Sequence, residues 1–463
     1  MKLFRQGLLL FLTTISLNAQ DITGSWNGAL QVQGISLRLV LHVESANDGY
    51  TGTLDSPDQG ARGIPLSAVH FQAPRLTFEI EQLGASYTGE WHSDETIQGT
   101  FTQMGQSFPL NLSKGSVEPP NRPQEPREPY PYTSEEVRFP NPVDDIELAG
   151  TLTLPPGKAK PAAVVLISGS GPQDRNEEVF GHKPFLVLAD HLTRQGIAVL
   201  RYDDRGTGAS TGNHAAATSE DLARDVVSAV EFLKSRDDID IEKIGLIGHS
   251  EGGMLAPMVG AESKDIAYMV LLAGPGIPGY DILMLQTELI QKANGVSGPA
   301  LDQAMQSLSG ILEVIRKAED PSSLSEDLKT HLMQALEENP AILPEGMEAE
   351  ALVDSQVKAF GTPWMHYFIS YEPAPTLRKV KCPVLALNGE KDLQVPPEEN
   401  LAAIEKYLKE GGKTSVATRM LPGLNHLFQE SETGAPSEYS SLEETFSPVA
   451  LDEITKWILS QTE

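Results

Sequence analysis

The pentapeptide Gly248-His249-Ser250-Glu251-Gly252 follows directly on the apolar run Ile244-Gly245-Leu246-Ile247 and precedes Met254-Leu255-Ala256-Pro257-Met258-Val259. A buried strand that turns at once into a helix has room only for small residues two positions either side of the turn's centre. Glycines at 248 and 252 meet that demand. The spacing predicts a strand, a tight turn and a helix, with the Ser250 hydroxyl raised off a sheet edge and helix N-terminal N–H groups beside it. Taken alone, the pattern also fits a glycine-rich turn carrying a solvent-exposed serine. The rest of the chain decides between the two.

Around this stretch β and α patterns alternate. Ile146–Leu154 and the fully apolar 162–167 precede a helical stretch at Phe185–Gln195, and Ile197–Leu200 follows it. Leu222–Leu233 reads as a helix before the strand at Ile244, and Tyr268–Leu272 as a strand after the turn. Continuous apolar runs separated by amphipathic helices imply an α/β fold with a mostly parallel sheet covered on both faces. Right-handed crossovers then bring the strand C-terminal ends to one edge. From about 277 to 372 the pattern is helical only (Ile282–Ala293, Ala300–Ala318, Leu324–Glu338), interrupted at Pro321, Pro340 and Pro344. A helical block inserted between sheet strands is expected to cap that edge. Pro383–Leu387 resumes the sheet, Leu401–Leu408 is helical, Ser415–Leu421 is a last strand, and Leu451–Leu459 closes the chain as a helix.

The N-terminal third reads differently. Between residues 20 and 114 the apolar period is two, as in Leu37–Val43 and Leu76–Ile80, with frequent turn signals. This predicts a small antiparallel barrel or sandwich. Trp26, Trp91, His42, His70 and His92 are scattered through it and are assigned to core or surface. Residues 115–133 hold Pro119, Pro120, Pro123, Pro126, Pro129 and Pro131, a density that forbids helix and central strand and marks a linker. The α/β unit is expected to occupy 134–463.

Residues 1–19 have the form of a secretory leader: Lys2 and Arg5, an apolar core from Gly7 to Leu17, and Ala19 before the expected cleavage. Export to a bacterial periplasm or exterior is the expectation, with no stable membrane anchor because the apolar core is short. The single cysteine, Cys382, leaves no partner for an intrachain disulfide. A net charge of -29 argues against nucleic-acid partners and against anionic membrane surfaces.

Acyl transfer through a serine needs a base, a carboxylate to orient it and donors for the oxyanion. On such a sheet they follow in the order serine, acid, histidine. His426, after the last strand in Leu421-Pro422-Gly423-Leu424-Asn425-His426, is the candidate base. Asp392 is the candidate acid in the turn after Val384–Leu387, with Glu390 read as a solvated neighbour. In Ser168-Gly169-Ser170-Gly171-Pro172 the glycines let backbone approach a substrate, so the N–H groups of Ser170 and Glu251 are the candidate oxyanion donors.

Three segments together resemble the α/β-hydrolase superfamily, and within it bacterial exported esterases of the serine-aminopeptidase-like group: 168–176 (SGSGPQDRN), 202–208 (YDDRGTG) and 248–252. The resemblance spans about 137–463. It implies a carboxylesterase acting on short acyl esters of small molecules through Ser250, His426 and Asp392, with neither metal nor cofactor. The familiar His-Gly ahead of the oxyanion residue is Ser168-Gly169 here. Asp204-Arg205-Gly206 is read as structural, and Asp174, Arg175 and His182 are candidates to line the pocket. Two other functions share the sequence: peptide hydrolysis by an aminopeptidase, for which Glu313, Glu326, Glu337 and Glu338 of the cap supply acids, and a catalytically silent binding protein with the β module as its working part.

Overall fold

The computed structural model describes residues 21–462 apart from 33–34, 47–48, 58–60, 94, 104–105, 116–120, 319–322, 344–346 and 413–414. The leader at 1–19 lies outside the described residues, as do Pro119, Pro120, Pro321 and Pro344.

Nine strands make one antiparallel sheet: β1 (Gly24–Val32), β2 (Ile35–Ala46), β3 (Gly49–Ser56), β4 (Ala61–Pro65), β5 (Ala68–Gln72), β6 (Arg75–Ile80), β7 (Ala85–Ser93), β8 (Thr96–Gln103) and β9 (Gln106–Lys114). The order is β4-β3-β2-β1-β9-β8-β7-β6-β5, so the two edges are consecutive in the chain. At the corner between them Leu66 N–H donates to Gly52 O of β3 and Ser67 N–H to Glu79 O of β6. One bent segment thus joins both edges and the sheet closes into a barrel, which removes its unpaired rims. Inward residues of the period-two pattern form its core, with Trp26, Leu41, Leu76, Ile80 and Leu110 fully buried. On the other side, His42 bridges Ser25 (Nδ1 to Oγ, 3.0 Å) and Asp55 (Nε2 to Oδ2, 2.9 Å) across three strands.

The second sheet has the order β10-β11-β13-β12-β14-β15-β16-β17, from β10 (Thr133–Asn141), β11 (Ile146–Leu154), β12 (Ala163–Ile167), β13 (Ala198–Tyr202), β14 (Ile244–His249), β15 (Tyr268–Leu272), β16 (Val384–Gly389) and β17 (Val416–Leu421). β10 and β11 are antiparallel; the pairs from β13 to β17 are parallel. Alternate residues of β12 enter opposite cores: Ala163, Val165 and Ile167 one, Val164 and Leu166 the other. That double burial is why these strands read as unbroken apolar runs. Each such Val or Leu contributes about 1.5–3 kcal/mol.

Helices α1 (Pro184–Arg194), α2 (Ser219–Lys234), α3 (Gly252–Glu262), α9 (Pro373–Lys379), α10 (Pro397–Glu410) and α11 (Pro448–Thr462) accompany the sheet. The cap comprises α4 (Gly279–Ala293), α5 (Pro299–Lys317), α6 (Leu324–Glu338), α7 (Ala349–Phe360) and α8 (Pro363–Ser370). Its entry is pinned where Asn400 Oδ1 of α10 accepts the Gly276 and Ile277 N–H groups at 2.7 and 3.3 Å. Among the described residues, no helix is long and apolar enough to cross a membrane.

Candidate active site

The turn after β14 has the predicted form. Ser250 has φ of 52°, a left-handed value that a side chain adopts only under constraint, and its N–H donates to Leu272 O at 2.8 Å. A Cβ on Gly248 would lie 2.0 Å from Gly252 O, and one on Gly252 2.2 Å from Ile167 O. No side chain fits at either position, which gives the pentapeptide its steric meaning. Helix α3 starts at once, so Glu251 N–H lies at its positive end.

Two clefts meet at Ser250. The cap-side cleft, with about 420 Å³ of unfilled space, is walled by Ile282, Leu283, Trp364 and Phe368 and floored by Ser170, Ser250 and Glu251. The second, of about 460 Å³, is bounded by Gly169, Phe180, His249, Ser250, His426 and Tyr439. Gln394 borders both.

Asp392 and His426, 34 positions apart, meet at 2.8 Å (Oδ2 to Nδ1), both almost fully buried. The approach of their two loops depends on Gly389, where a Cβ would lie 2.2 Å from Leu424 O. Lys391 N–H donates to that same Leu424 carbonyl. Asp392 Oδ1 accepts the Gln394 and Val395 N–H groups, so its carboxylate is held in one orientation. Glu390 instead turns away to accept Gly423 N–H.

Two imidazoles border the second cleft, and their hydrogen bonds distinguish them. His249 uses both nitrogens, Nδ1 to Glu177 Oε1 (2.9 Å) and Nε2 to the His426 carbonyl (3.0 Å). His426 uses Nδ1 alone among the described residues, which leaves Nε2 to exchange a proton in the cleft. Sequence reasoning passed over His249 and Glu177 entirely. The only signal for His249 is its place inside the elbow motif; Glu177 carries none.

The candidate oxyanion loop, 168–172, has its own hydrogen bonds at the position of the missing histidine. Ser168 Oγ donates to Asp204 Oδ1 at 2.8 Å, and Gly169 N–H to Glu177 Oε1 at 2.7 Å. Neither Ser170 N–H nor Glu251 N–H donates to a protein acceptor among the described residues, and both residues floor the cap-side cleft. The Glu251 carboxyl is buried; Oε1 receives Ser219 Oγ (2.5 Å) and the Trp364 indole N–H of the cap (2.7 Å). Burial pushes this carboxyl above the usual range, opposed by those two donors. Burial likewise holds Asp204 well above it.

Asp174, Arg175 and His182, named as candidates for the pocket with a solvated loop as the alternative, line neither cleft. Asp174 caps its own turn by accepting Asn176 and Glu178 N–H. Arg175 pairs with Asp203 at 2.8 Å and with Glu136. His182 is fully buried between Thr445 and the Tyr439 carbonyl. The loop doubles back because these three residues satisfy its interior, and Glu177, at φ 52°, is the side chain turned toward the elbow. Arg205 pairs locally with Asp225 (2.7 Å) and Asp144 (2.9 Å). Of the cap acids, Glu313 is engaged with Arg316 and Lys317 on the surface. Among the described residues no cluster of His, Cys, Asp and Glu could hold a metal ion.

The chain is 27% identical over 314 residues to the esterase EstD of Thermotoga maritima, an alignment covering 67% of this chain and 65% of EstD. The chain thus spans a little under two thirds of that relative's length. A protein of Escherichia coli described only as uncharacterized is 23% identical over 55% of this chain and 81% of its own. Among solved structures, Est1E from Butyrivibrio proteoclasticus, with ferulic acid bound, covers 70% of this chain and 99% of its own (17% identity, TM-score 0.41). An esterase of Pyrococcus furiosus covers 75% and 98% (17% identity, TM-score 0.43). The family model described as "Serine aminopeptidase, S33" matches residues 183–432, more than half of the chain, including the elbow, the Asp392 turn and the His426 loop. The chain therefore belongs to that family of α/β-hydrolases.

Proposed function

We propose that this protein hydrolyses carboxylic esters through an acyl-enzyme on Ser250. The observation that carries the reading is the buried Asp392–His426 pair, whose histidine lines the same cleft as the elbow serine. In this mechanism His426 Nε2 takes the Ser250 proton as Oγ attacks the ester carbonyl, while Asp392 holds the imidazole tautomer and stabilises the imidazolium. The N–H groups of Ser170 and Glu251 receive the developing oxyanion, each worth on the order of 3 kcal/mol at the transition state. Collapse of the tetrahedral species breaks the C–O bond, and His426 returns the proton to the departing alcohol. Water, activated by the same imidazole, then releases the acid.

The general acid must stand beside the leaving group, which assigns the alcohol to the cleft bordered by His426 and the acyl chain to the cap-side cleft. Ile282, Leu283, Trp364 and Phe368 give that cleft an apolar wall suited to an acyl chain, which we take to be short. Glu251 is next to Ser250, but its carboxyl is buried, with Oε1 committed to Ser219 and Trp364 and Oε2 shut off from solvent, which argues against capture of a peptide's α-ammonium. With the leader at 1–19, we also infer that the enzyme works after export.

The test is turnover of p-nitrophenyl esters of increasing acyl length, together with labelling by a fluorophosphonate probe. Loss of both in Ser250→Ala, with acetate or butyrate esters preferred over long chains, is the expected result. Wild-type turnover in Ser250→Ala overturns it. Cleavage of aminoacyl-arylamides in preference to esters would move the assignment to peptide hydrolysis, and absence of any labelling to a binding role. Recovery of the chain in the periplasm or medium, beginning at Gln20, tests export.

A further inference from the structure

Outside the Ser250, Asp392 and His426 set, one buried acid–histidine pair joins the 168–172 loop, the elbow and the His426 loop. Glu177 is 3% exposed and His249 6%. Glu177 Oε1 accepts Gly169 N–H at 2.7 Å and faces His249 Nδ1 at 2.9 Å. His249 Nε2 lies 3.0 Å from the His426 carbonyl oxygen. A chain of three hydrogen bonds thus runs from the residue before the Ser170 oxyanion donor, across the elbow, to the backbone of the candidate base.

The chemistry of these atoms fixes one proton and constrains the other. A carbonyl oxygen only accepts, so His249 Nε2 carries hydrogen. Glu177 Oε1 already accepts one N–H, and a carboxylate facing Nδ1 is satisfied by a second. With Glu177 ionised, His249 is an imidazolium with both N–H groups engaged. Burial works against that charge, but the Glu177 carboxylate, the His426 carbonyl and the Asp392 charge together raise His249 above the ordinary histidine range. His182 shows the contrast within the same protein. Its Nε2 donates to a carbonyl, its Nδ1 accepts from a hydroxyl, and it is neutral.

We propose that Glu177 and His249 are positioning residues that lock the oxyanion loop and the His426 loop to each other across the elbow. Neither touches the reacting atoms. Their effect is to fix the distance between the Ser170 N–H and the His426 imidazole, groups that must hold their geometry to within about 0.5 Å. The charge matters as well as the shape. A neutral His249 that keeps its bond to the His426 carbonyl presents a lone pair at Nδ1, and one side-chain amide oxygen cannot satisfy both that lone pair and Gly169 N–H. Glu177→Gln therefore breaks one of the links even though it is nearly isosteric.

This inference rests on the serine-hydrolase reading above, and its test separates the two. Wild type, Ser250→Ala, Glu177→Gln, Glu177→Ala and His249→Asn are compared on p-nitrophenyl acetate, with circular dichroism and melting as folding controls. The expected result for Glu177→Gln and His249→Asn is a kcat lower by about 10- to 100-fold with KM changed by less than about threefold. The Glu177→Ala/His249→Asn double variant should be no slower than the worse single one, since the two act through one chain. Wild-type kcat in folded Glu177→Gln and His249→Asn overturns the proposal while Ser250→Ala remains inactive; activity in Ser250→Ala overturns the nucleophile instead. Histidine-selective ¹⁵N spectra decide the matter without turnover. At pH 7 His249 should show two protonated ring nitrogens in wild type and in Ser250→Ala, and one in Glu177→Gln. A singly protonated His249 in the wild-type spectrum overturns the relay.

Discussion

Trp364, on cap helix α8, donates its indole N–H to the carboxyl of Glu251 at 2.7 Å, so the residue next to Ser250 also receives the cap. The ring is held by stacking on Phe368, with centroids 5.1 Å apart and planes 9° from parallel. Trp364→Phe keeps an aromatic wall but leaves the buried carboxyl with Ser219 as its one remaining named donor. Loss of a hydrogen bond to such a group removes about 1.5–3 kcal/mol. The expected outcome is a KM for p-nitrophenyl butyrate raised about tenfold or more with kcat less affected. Unchanged KM with a lowered melting temperature would reduce the bond to a structural tie.

The two carboxylates of the 390–392 turn have different partners, and substitution should separate them. Asp392→Asn loses the charge against His426 Nδ1 and favours the wrong tautomer, a change that costs about 10⁴-fold in kcat in enzymes built this way. Glu390→Gln touches only Gly423 N–H and should stay within about threefold of wild type. Steady-state kinetics on one ester checks both.

The segment read as a linker is also part of the catalytic unit's wall. The Arg122 guanidinium is buried and donates to Gly181 O (3.0 Å), Phe180 O (3.3 Å), Ser440 O (3.1 Å) and Leu442 O. Gln124 bonds Thr445 N–H and the Phe446 carbonyl beside it. Phe180 and Tyr439, in the strapped loops, border the His426 cleft. Arg122→Ala takes the donor from these four carbonyls and should destabilise by about 2 kcal/mol, read as a lower urea midpoint. It should also lower kcat/KM for esters with bulky alcohols more than for methyl esters.

His182 lies in the same strapped region, and burial pushes it down to about 4, opposed by its bond to the Tyr439 carbonyl. At pH values above about 6.5 it is neutral in both folded and unfolded chains and contributes no pH dependence. Between about 6.5 and 4 the unfolded chain binds the proton and the folded chain does not, so stability falls as pH falls. The loss reaches at most about 3 kcal/mol. Urea midpoints at pH 7.5, 6 and 5 should decline more steeply for wild type than for His182→Gln; parallel declines would assign the acid sensitivity elsewhere.

Much of the fold was legible because it rests on periodicity. Strands buried on both faces read as apolar runs, and barrel strands alternate. Strand β10 escaped notice because Glu135, Glu136 and Arg138 give it a charged, solvent-facing pattern at a sheet edge. Cap helices α7 and α8, of 12 and 8 residues, were also missed. In the site, the order of serine, acid and histidine pointed to side chains that the fold gathers around one edge. The same reasoning offered Asp174, Arg175 and His182 as pocket or solvated-loop residues, whereas they are consumed by partners from 2 to 263 positions away.

By itself the sequence determined the local geometry of the elbow, since the steric exclusion at Gly248 and Gly252 is written into five consecutive residues. It also determined the layered α/β architecture, through which residues must avoid water. Only the tertiary structure decided which of two histidines keeps a nitrogen free. Glu177 lies 72 positions before His249, and the His426 carbonyl 177 positions after it. A hydrogen bond is made by whichever groups the packed chain brings within about 3 Å, and no local pattern encodes that choice.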